Sequence, residues 1–163
     1  MGTNGSTMLK PLRQGLPPLD PAAVSSAASC ALPPRYEAVR EARRFTRGTL
    51  DQWDVGDRFD DICLVVSELV TNALRHTLPG DPGTDPSAAV RLHLMRWTER
   101  LVCAVRDPSH ETPVPHTSED YVAESGRGLF LIESFSDSWG WHPLAGTLSG
   151  KVVWAMFRLP PVD

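Results

Sequence analysis

The sequence lacks the features that mark several large classes of protein. No run of apolar residues approaches the roughly 18 to 20 that a membrane span requires, and the first residues carry no charged-then-apolar secretion signal. No Lys/Arg cluster is long enough to follow a phosphate backbone, and 16 basic against 20 acidic residues leave a formal charge of −4. We therefore expect a cytoplasmic protein that does not bind membranes or nucleic acid directly.

Two kinds of motif are also missing. Cys30, Cys63 and Cys103 are too far apart in sequence for the close pairs that zinc and redox sites use, so we expect three free, buried thiols. The phosphate-binding pattern GxxxxGK[ST] does not occur either, which excludes a P-loop.

What is present fits a globular protein of ordinary size. Apolar residues make up 41% and charged residues 22% of the 163 residues, which is enough for one domain with its own core. Proline, glycine and serine interrupt any apolar periodicity near the start of the chain. We expect a flexible tail over residues 1–24 and a single domain over residues 25–163.

Apolar spacing predicts three helices and five strands. Steps of three and four predict one helix of about 16 residues from Pro34 and two more over 58–76 and 129–135. Strand-compatible runs cover 24–32, 88–97, 101–106, 138–143 and 151–159. Proline-rich segments over 77–87 and 108–125 predict a loop and a long mobile lid. Because strands and helices do not alternate, the expected fold class is α+β: a two-layer α/β sandwich with helices on one face of a mostly antiparallel sheet.

Polar residues recur every four positions on the second predicted helix. Each step from Glu68 to Asn72 to His76 advances about 6 Å and turns about 40°, so the three share one stripe beside the apolar stripe. A carboxamide oxygen can ligate Mg²⁺, and a carboxylate can accept a proton. The same spacing also fits a solvated helix face, or an acid–base pair of Glu68 and His76 in a metabolic enzyme.

Two further groups follow in the chain. Asp107 stands at the end of a predicted strand, where a carboxylate can accept a hydrogen bond from an exocyclic amino group, although Asp before Pro is also ordinary turn chemistry. Gly126 and Gly128 precede the third predicted helix, where free backbone amides and the positive helix end suit a phosphate group. These glycines are equally consistent with a loop that needs positive φ.

Taken in order, four segments resemble the motifs of the GHKL (histidine kinase-like) ATP-binding superfamily. They are Glu68–Ala73, Val105–Asp107, Glu124–Leu129 and Gly150–Trp154. Within that superfamily the chain is similar to the small bacterial anti-sigma-factor serine/threonine kinases, and the likeness covers about residues 25–160. The first and third segments are the specific ones.

The resemblance implies a site for ATP and Mg²⁺. Asn72 would hold the Mg²⁺ that bridges the phosphates, and Glu68 would orient or deprotonate the attacking hydroxyl. Asp107 would bind the adenine amino group. The remaining nucleotide-binding residues that the resemblance implies are Gly126, Arg127, Gly128 and Leu129 around the phosphates, and Lys151 near the nucleotide. These roles agree with phosphoryl transfer, in which positioning and charge neutralisation do most of the catalysis.

The chain departs from the resembled kinases at two places. Asp107 is followed by Pro108 and lacks the Asp-x-Gly-x-Gly glycines of the family, which predicts a stiffer lid hinge. Glu124 occupies the position of an Arg that reaches the terminal phosphate in proven kinases of this branch, and its charge would repel that phosphate. Arg127 and Arg106 are the candidates to replace that Arg.

The resemblance implies a kinase that transfers the γ-phosphate of ATP to a Ser or Thr of a small antagonist protein. This partner would be an anti-anti-sigma-like protein, and the kinase would control a sigma factor or a similar regulator by binding it. Glu124 and the missing glycines favour an alternative, a catalytically impaired ATP-binding module or a nucleotide-free protein-interaction module. Since dimerisation is common in the resembled branch, a homodimer through a sheet edge or the first helix is a further expectation.

Overall fold

The described part of the chain forms five strands and three helices. In this computed structural model the described residues are 23–77, 90–108, 124–144 and 150–160. The elements follow in the order β1 (Ser26–Leu32), α1 (Glu37–Gln52), α2 (Phe59–Thr77), β2 (Val90–Trp97), β3 (Arg100–Asp107), α3 (Glu124–Phe135), β4 (Ser138–Pro143) and β5 (Lys151–Arg158). None of these helices combines the length and the apolar character that crossing a bilayer requires.

Most of the segments that the sequence predicts to be flexible lie outside the described residues. This holds for the tail up to residue 22, for the loop from residue 78 onwards and for the lid between residues 109 and 123. Thr77, which the pattern assigns to the loop, is the last residue of α2.

The helix starts differ from the predicted ones. α1 begins at Glu37 and not at Pro34, because the chain first makes a turn in which the Arg35 N–H donates to the Pro33 carbonyl oxygen at 2.8 Å. α3 begins at Glu124, so the predicted start at Leu129 is wrong. Glycine weakens an isolated helix, but α3 packs against α2, and this packing outweighs the low helix propensity of its first residues.

The sheet confirms the predicted sandwich. Its strand order is β1-β2-β3-β5-β4, and every neighbouring pair is antiparallel. Arg91 of β2 pairs with Arg106 of β3, and Asp107 pairs with Lys151 of β5. The starts of β2 and β5 and the end of β3 therefore lie together, at what we call the Asp107 end of the sheet.

All three helices pack on one face of the sheet. Side chains of β3 alternate between the faces, so that Leu101, Cys103 and Val105 join the helices in the main core. Val102 and Ala104 belong to a smaller apolar cluster on the opposite face, which we call the outer face. This alternation decides which side chains of the sheet can meet the helices.

The three cysteines are free, as the sequence predicts. Cys63 and Cys103 are buried, and Cys30 on the edge strand β1 is half-buried. Burial raises the pKa of the Cys103 thiol, so it stays protonated and packs as a small apolar side chain.

Arg58, directly before α2, joins the start of that helix to the end of α3 and to β5. Its guanidinium donates a hydrogen bond to Asp137 Oδ2 and another, at 3.0 Å, to the carbonyl oxygen of Phe135. It also lies 5.0 Å from the centre of the Phe157 ring. Asp137 Oδ2 accepts a second hydrogen bond, at 2.6 Å, from the backbone N–H of Arg158. These contacts fix the end of α3 against the sheet.

This cluster predicts a loss of stability in acid. Burial alone would raise the pKa of Asp137, but the Arg158 N–H and the Arg58 guanidinium together lower it. A carboxyl group with a lowered folded pKa stabilises the fold above its unfolded pKa, and that contribution disappears as the pH falls through the folded value. The melting temperature of the wild type should exceed that of Asp137→Asn at about pH 7, and the two should converge near about pH 2.

Asp61→Asn is the matched control for this experiment. Asp61 Oδ2 lies 3.6 Å from the same guanidinium, but its side chain is 41% exposed, and exposed ion pairs contribute little to stability. The melting temperature of Asp61→Asn should equal that of the wild type at both pH values. A difference in melting temperature between the wild type and Asp137→Asn that does not change with pH would contradict the prediction.

Candidate functional site

An ion pair is buried at the Asp107 end of the sheet. Lys151 Nζ donates to Asp107 Oδ1 at 3.0 Å, and each side chain is 1% exposed. Asp107 lies two residues after Val105, and Lys151 lies two residues before Val153, so both residues lie on the same, helix-facing side of the sheet as these core residues. The predicted strand-end carboxylate is thus inside the sandwich, with a cation as its neighbour.

Gly150 brings the start of β5 against Asp107. Its φ is 111°, a left-handed conformation that residues with a side chain rarely adopt. A Cβ atom at this position would lie 2.1 Å from the Asp107 carbonyl oxygen and 3.0 Å from Pro108 Cα. Only glycine permits this approach, which sets Lys151 beside the carboxylate.

A second cluster forms where α2 meets α3. Glu68 is half-buried, and a Cβ atom at Gly128 would lie 3.1 Å from Glu68 Oε2. Burial raises the pKa of Glu68, and the charges of Arg75 and Arg43 oppose that rise in part. A carboxylate with a raised pKa is a stronger base than a solvated one, which suits Glu68 to accept a proton.

Asn72 lies one turn after Glu68 on α2 and is 5% exposed. Its Nδ2 atom is buried and has no hydrogen-bond partner among the described residues. A buried amide without a partner is costly, so the atom indicates a place where a ligand with an acceptor would bind. The side chain of His76, the third member of the predicted stripe, lies outside the described part of the chain.

The predicted glycine pair occupies a different place from the one expected. Because α3 begins at Glu124, Gly126 lies in its first turn and Gly128 lies within the helix, where its N–H can bond to the Glu124 carbonyl oxygen. The amides left without an intrahelical partner are those at the start of the helix, up to Gly126. Leu129 is 2% exposed and packs in the main core.

Among the described residues, the cations whose charges lower the pKa of Glu68 are Arg75 and Arg43, which the sequence pattern does not indicate. Arg106 lies on the outer face, where burial and the charges of Arg91 and Arg106 lower the pKa of His93 to about 4. Arg106 is therefore separated by the sheet from the helix-facing site, and that expectation is wrong. The side chain of Arg127 is outside the described part.

Arg43 and Arg75 lie close enough to Glu68 to lower its pKa, and sequence reasoning missed both. Arg43 Nε also donates to Ser67 Oγ at 2.6 Å, which ties α1 to α2. Arg75 lies seven residues after Glu68, nearly two full turns, and this spacing could have indicated a shared face. Arg43 belongs to another helix, so no local pattern could have indicated it.

Two further observations on the described residues concern metal binding and clefts. No group of three His, Cys, Asp or Glu side chains is placed to hold a metal ion among the described residues. A small cleft of about 140 Å³ lies at the opposite end of the sheet and is lined by Asp54, Val55, Gly56, Asp57, Arg96, Leu159 and Pro160. The acidic and amide groups described above do not line it.

The sequence model of the histidine kinase-like ATPase domain matches residues 32–157, which include both clusters. This chain belongs to that family. The resemblance to the GHKL superfamily that the motifs indicate is therefore confirmed, and the antiparallel sheet with helices on one face agrees with it. In this histidine kinase-like ATPase domain, α2 carries Glu68 and Asn72, and the end of β3 carries Asp107.

Two known proteins resemble this chain, one in sequence and one in fold. The serine-protein kinase RsbW of Bacillus pumilus is 32% identical over 94 residues, which is 51% of this chain and 57% of that protein. The chain thus spans little more than half the length of this curated relative. A chain of the SiaB–SiaC complex from Pseudomonas aeruginosa has the same fold, with a TM-score of 0.59 at 12% identity over 95% of this chain and 97% of that chain.

Proposed function

We propose that this chain is an ATP-dependent protein serine/threonine kinase of the anti-sigma type. It would phosphorylate a Ser or Thr of a small anti-anti-sigma-like protein and control a sigma factor or a similar regulator by binding it. The observation that carries the proposal is the stripe on α2, where a half-buried carboxylate of raised pKa precedes, by one turn, a buried amide that lacks a partner among the described residues. The likeness to a serine-protein kinase supports this assignment.

In the proposed reaction Glu68 takes the proton of the serine or threonine hydroxyl while that oxygen attacks the γ-phosphorus of ATP. The bond from the γ-phosphorus to the β,γ-bridging oxygen breaks, and ADP leaves. The charges of Arg75 and Arg43 act on Glu68 and would also offset negative charge on the phosphoryl group that is transferred beside it. Positioning and charge neutralisation supply most of the rate enhancement in such reactions.

The residues present fit Mg²⁺ and a nucleotide. Asn72 would hold Mg²⁺ through its carboxamide oxygen, and the ion would neutralise phosphate charge when bound. The unpartnered Nδ2 of the same side chain is a donor and suits an acceptor such as a phosphate oxygen. One protein ligand is compatible with Mg²⁺, which keeps several waters and takes phosphate oxygens. Asp107 would accept a hydrogen bond from the adenine amino group, and the first amides of α3, up to Gly126, would face the phosphates.

A non-catalytic function is the second proposal. This proposal is supported by the outer-face position of Arg106 and by the acidic Glu124, which stands where the resembled kinases have the Arg that reaches the terminal phosphate. The chain would then bind ATP, or no nucleotide, and act as a protein-interaction module.

Two measurements on the full chain separate these functions. Calorimetry with ATP and Mg²⁺ should show binding, and γ-labelled ATP should transfer its label to Ser or Thr of small antagonist proteins from the same organism. Binding without transfer to any such protein would favour the non-catalytic module. Absence of binding by the folded protein would refute both ATP-dependent functions.

A further inference from the structure

The buried pair of Asp107 and Lys151 is not explained by stability. Taking both charges out of water costs several kcal/mol per ion, and two packed apolar side chains would often stabilise the fold as well. Both groups are nevertheless 1% exposed and 3.0 Å apart, at the start of β5 where Gly150 approaches the Asp107 backbone. Such a costly pair points to a ligand that uses both charges.

Lys151 has hydrogen-bonding capacity to spare. An ammonium group carries three N–H donors, and among the described residues Nζ has one partner, Asp107 Oδ1. The carboxylate of Asp107 can accept several hydrogen bonds at once, so its pairing with Lys151 leaves capacity for a further donor. The end of the sheet therefore presents a donor and an acceptor side by side on its helix-facing side.

The edge of adenine that lies farthest from the sugar has the complementary pattern. There the N6 amino group is a donor and the neighbouring ring nitrogen N1 is an acceptor. In the proposed site the phosphates lie toward Asn72 and the start of α3, so the buried groups would meet the part of the nucleotide most remote from the phosphates. That part is the N1–N6 edge.

We propose that Lys151 reads the base together with Asp107, its ammonium donating to N1 of adenine while the carboxylate accepts from the N6 amino group. This inference rests on the nucleotide-binding function proposed above and makes Lys151 a specificity-determining residue. Guanine has the reverse order, an acceptor at O6 and a donor at N1, which would place like groups against each other. Binding of GTP should therefore be roughly 100-fold weaker or more.

Nucleotide analogues test the contact with single-atom resolution. Calorimetry on the full chain would compare ATP, 1-deaza-ATP, which lacks N1, and 7-deaza-ATP, which lacks N7. The wild type should bind 1-deaza-ATP about 10- to 100-fold more weakly than ATP, because a charge-assisted hydrogen bond is lost. It should bind 7-deaza-ATP as well as ATP.

Variants then assign the effect to Lys151. Lys151→Met keeps the length of the side chain and should bind ATP and 1-deaza-ATP equally. Arg106→Met is the matched control, since it removes a cation from the same end of the sheet on the outer face, and it should discriminate like the wild type. If unpaired Asp107 prevents folding of the single variant, the double variant Asp107→Asn with Lys151→Met replaces it.

The outcomes distinguish this inference from the proposed function. Equal binding of ATP and 1-deaza-ATP by the wild type would overturn the role of Lys151 and leave ATP binding intact. A loss with 7-deaza-ATP alone would also overturn it, since the base would then be read at N7. Failure of the folded wild type to bind ATP at all would sink the proposed function itself.

Discussion

Replacing Glu68 with Gln should lower the rate of phosphoryl transfer by roughly 100- to 10,000-fold while ATP still binds. Gln keeps the shape of the side chain beside Gly128 but cannot take the proton of the attacking hydroxyl. Transfer would be measured in single-turnover reactions with γ-labelled ATP, and binding by calorimetry. Glu133→Gln, an exposed change on α3, is the matched control and should leave the rate unchanged. Equal transfer by Glu68→Gln and the wild type would refute the assigned role.

The raised pKa of Glu68 gives this variant a second signature. The wild-type rate should fall as the pH drops through that pKa, because a protonated Glu68 cannot act as a base, while the residual rate of the Gln variant should lack this step. A carboxyl with a raised folded pKa stabilises the fold below its unfolded pKa and loses that contribution as the pH rises through the folded value. At neutral pH the Gln variant should therefore melt no lower than the wild type. A large fall in its melting temperature would mean that Glu68 has a structural role.

Gly150→Ala should destabilise the protein by about 3 kcal/mol or more, which corresponds to a fall of roughly 10 °C in melting temperature. Two effects add: alanine is strained at a φ of 111°, and its Cβ would lie 2.1 Å from the Asp107 carbonyl oxygen. Relief of this overlap requires β5 to move away from β3, which would separate Lys151 from Asp107. We therefore expect nucleotide binding to be lost even below the melting temperature.

Gly48→Ala is the matched control for Gly150→Ala. Gly48 lies inside α1, is exposed, and has no other atom within 4 Å of the position of an added Cβ. Alanine there should stabilise the helix by about 0.5–1 kcal/mol, so the same substitution has opposite signs at the two positions. Thermal denaturation of both variants measures this. A Gly150→Ala protein with the same melting temperature as the wild type would show that the start of β5 can shift at little cost in stability.

Local geometry explains which predictions about the fold were confirmed. Glu68 and Asn72 were placed on one stripe because residues four apart in any α-helix lie on nearly the same side. The pairing of β2 with β3 followed from two strand-like runs separated by a polar turn. In both cases a few neighbouring residues contain all the information that the structure needs.

The predictions that failed depended on packing between distant segments. The sequence pattern places Gly126 and Gly128 directly before a helix that starts at Leu129, but α3 starts at Glu124 and includes both glycines because it packs against α2. Its sequence position makes Arg106 a candidate to bind the phosphates. The side chains of β3 alternate between the two faces of the sheet, however, and this alternation places Arg106 on the outer face. A single-residue step along a strand reverses the face, and only the paired sheet shows which face carries the helices.

The sequence by itself determined the family, the antiparallel sandwich and the residue types of the site, because these are recorded in periodicity and in ordered motifs. The tertiary structure alone decided that Lys151 meets Asp107 across 44 residues of chain and that Arg43, on another helix, lies close enough to Glu68 to lower its pKa. Both arrangements are fixed by strand register and helix packing. Register and packing arise from the sum of many weak apolar contacts across the whole core, so no short stretch of sequence specifies either arrangement.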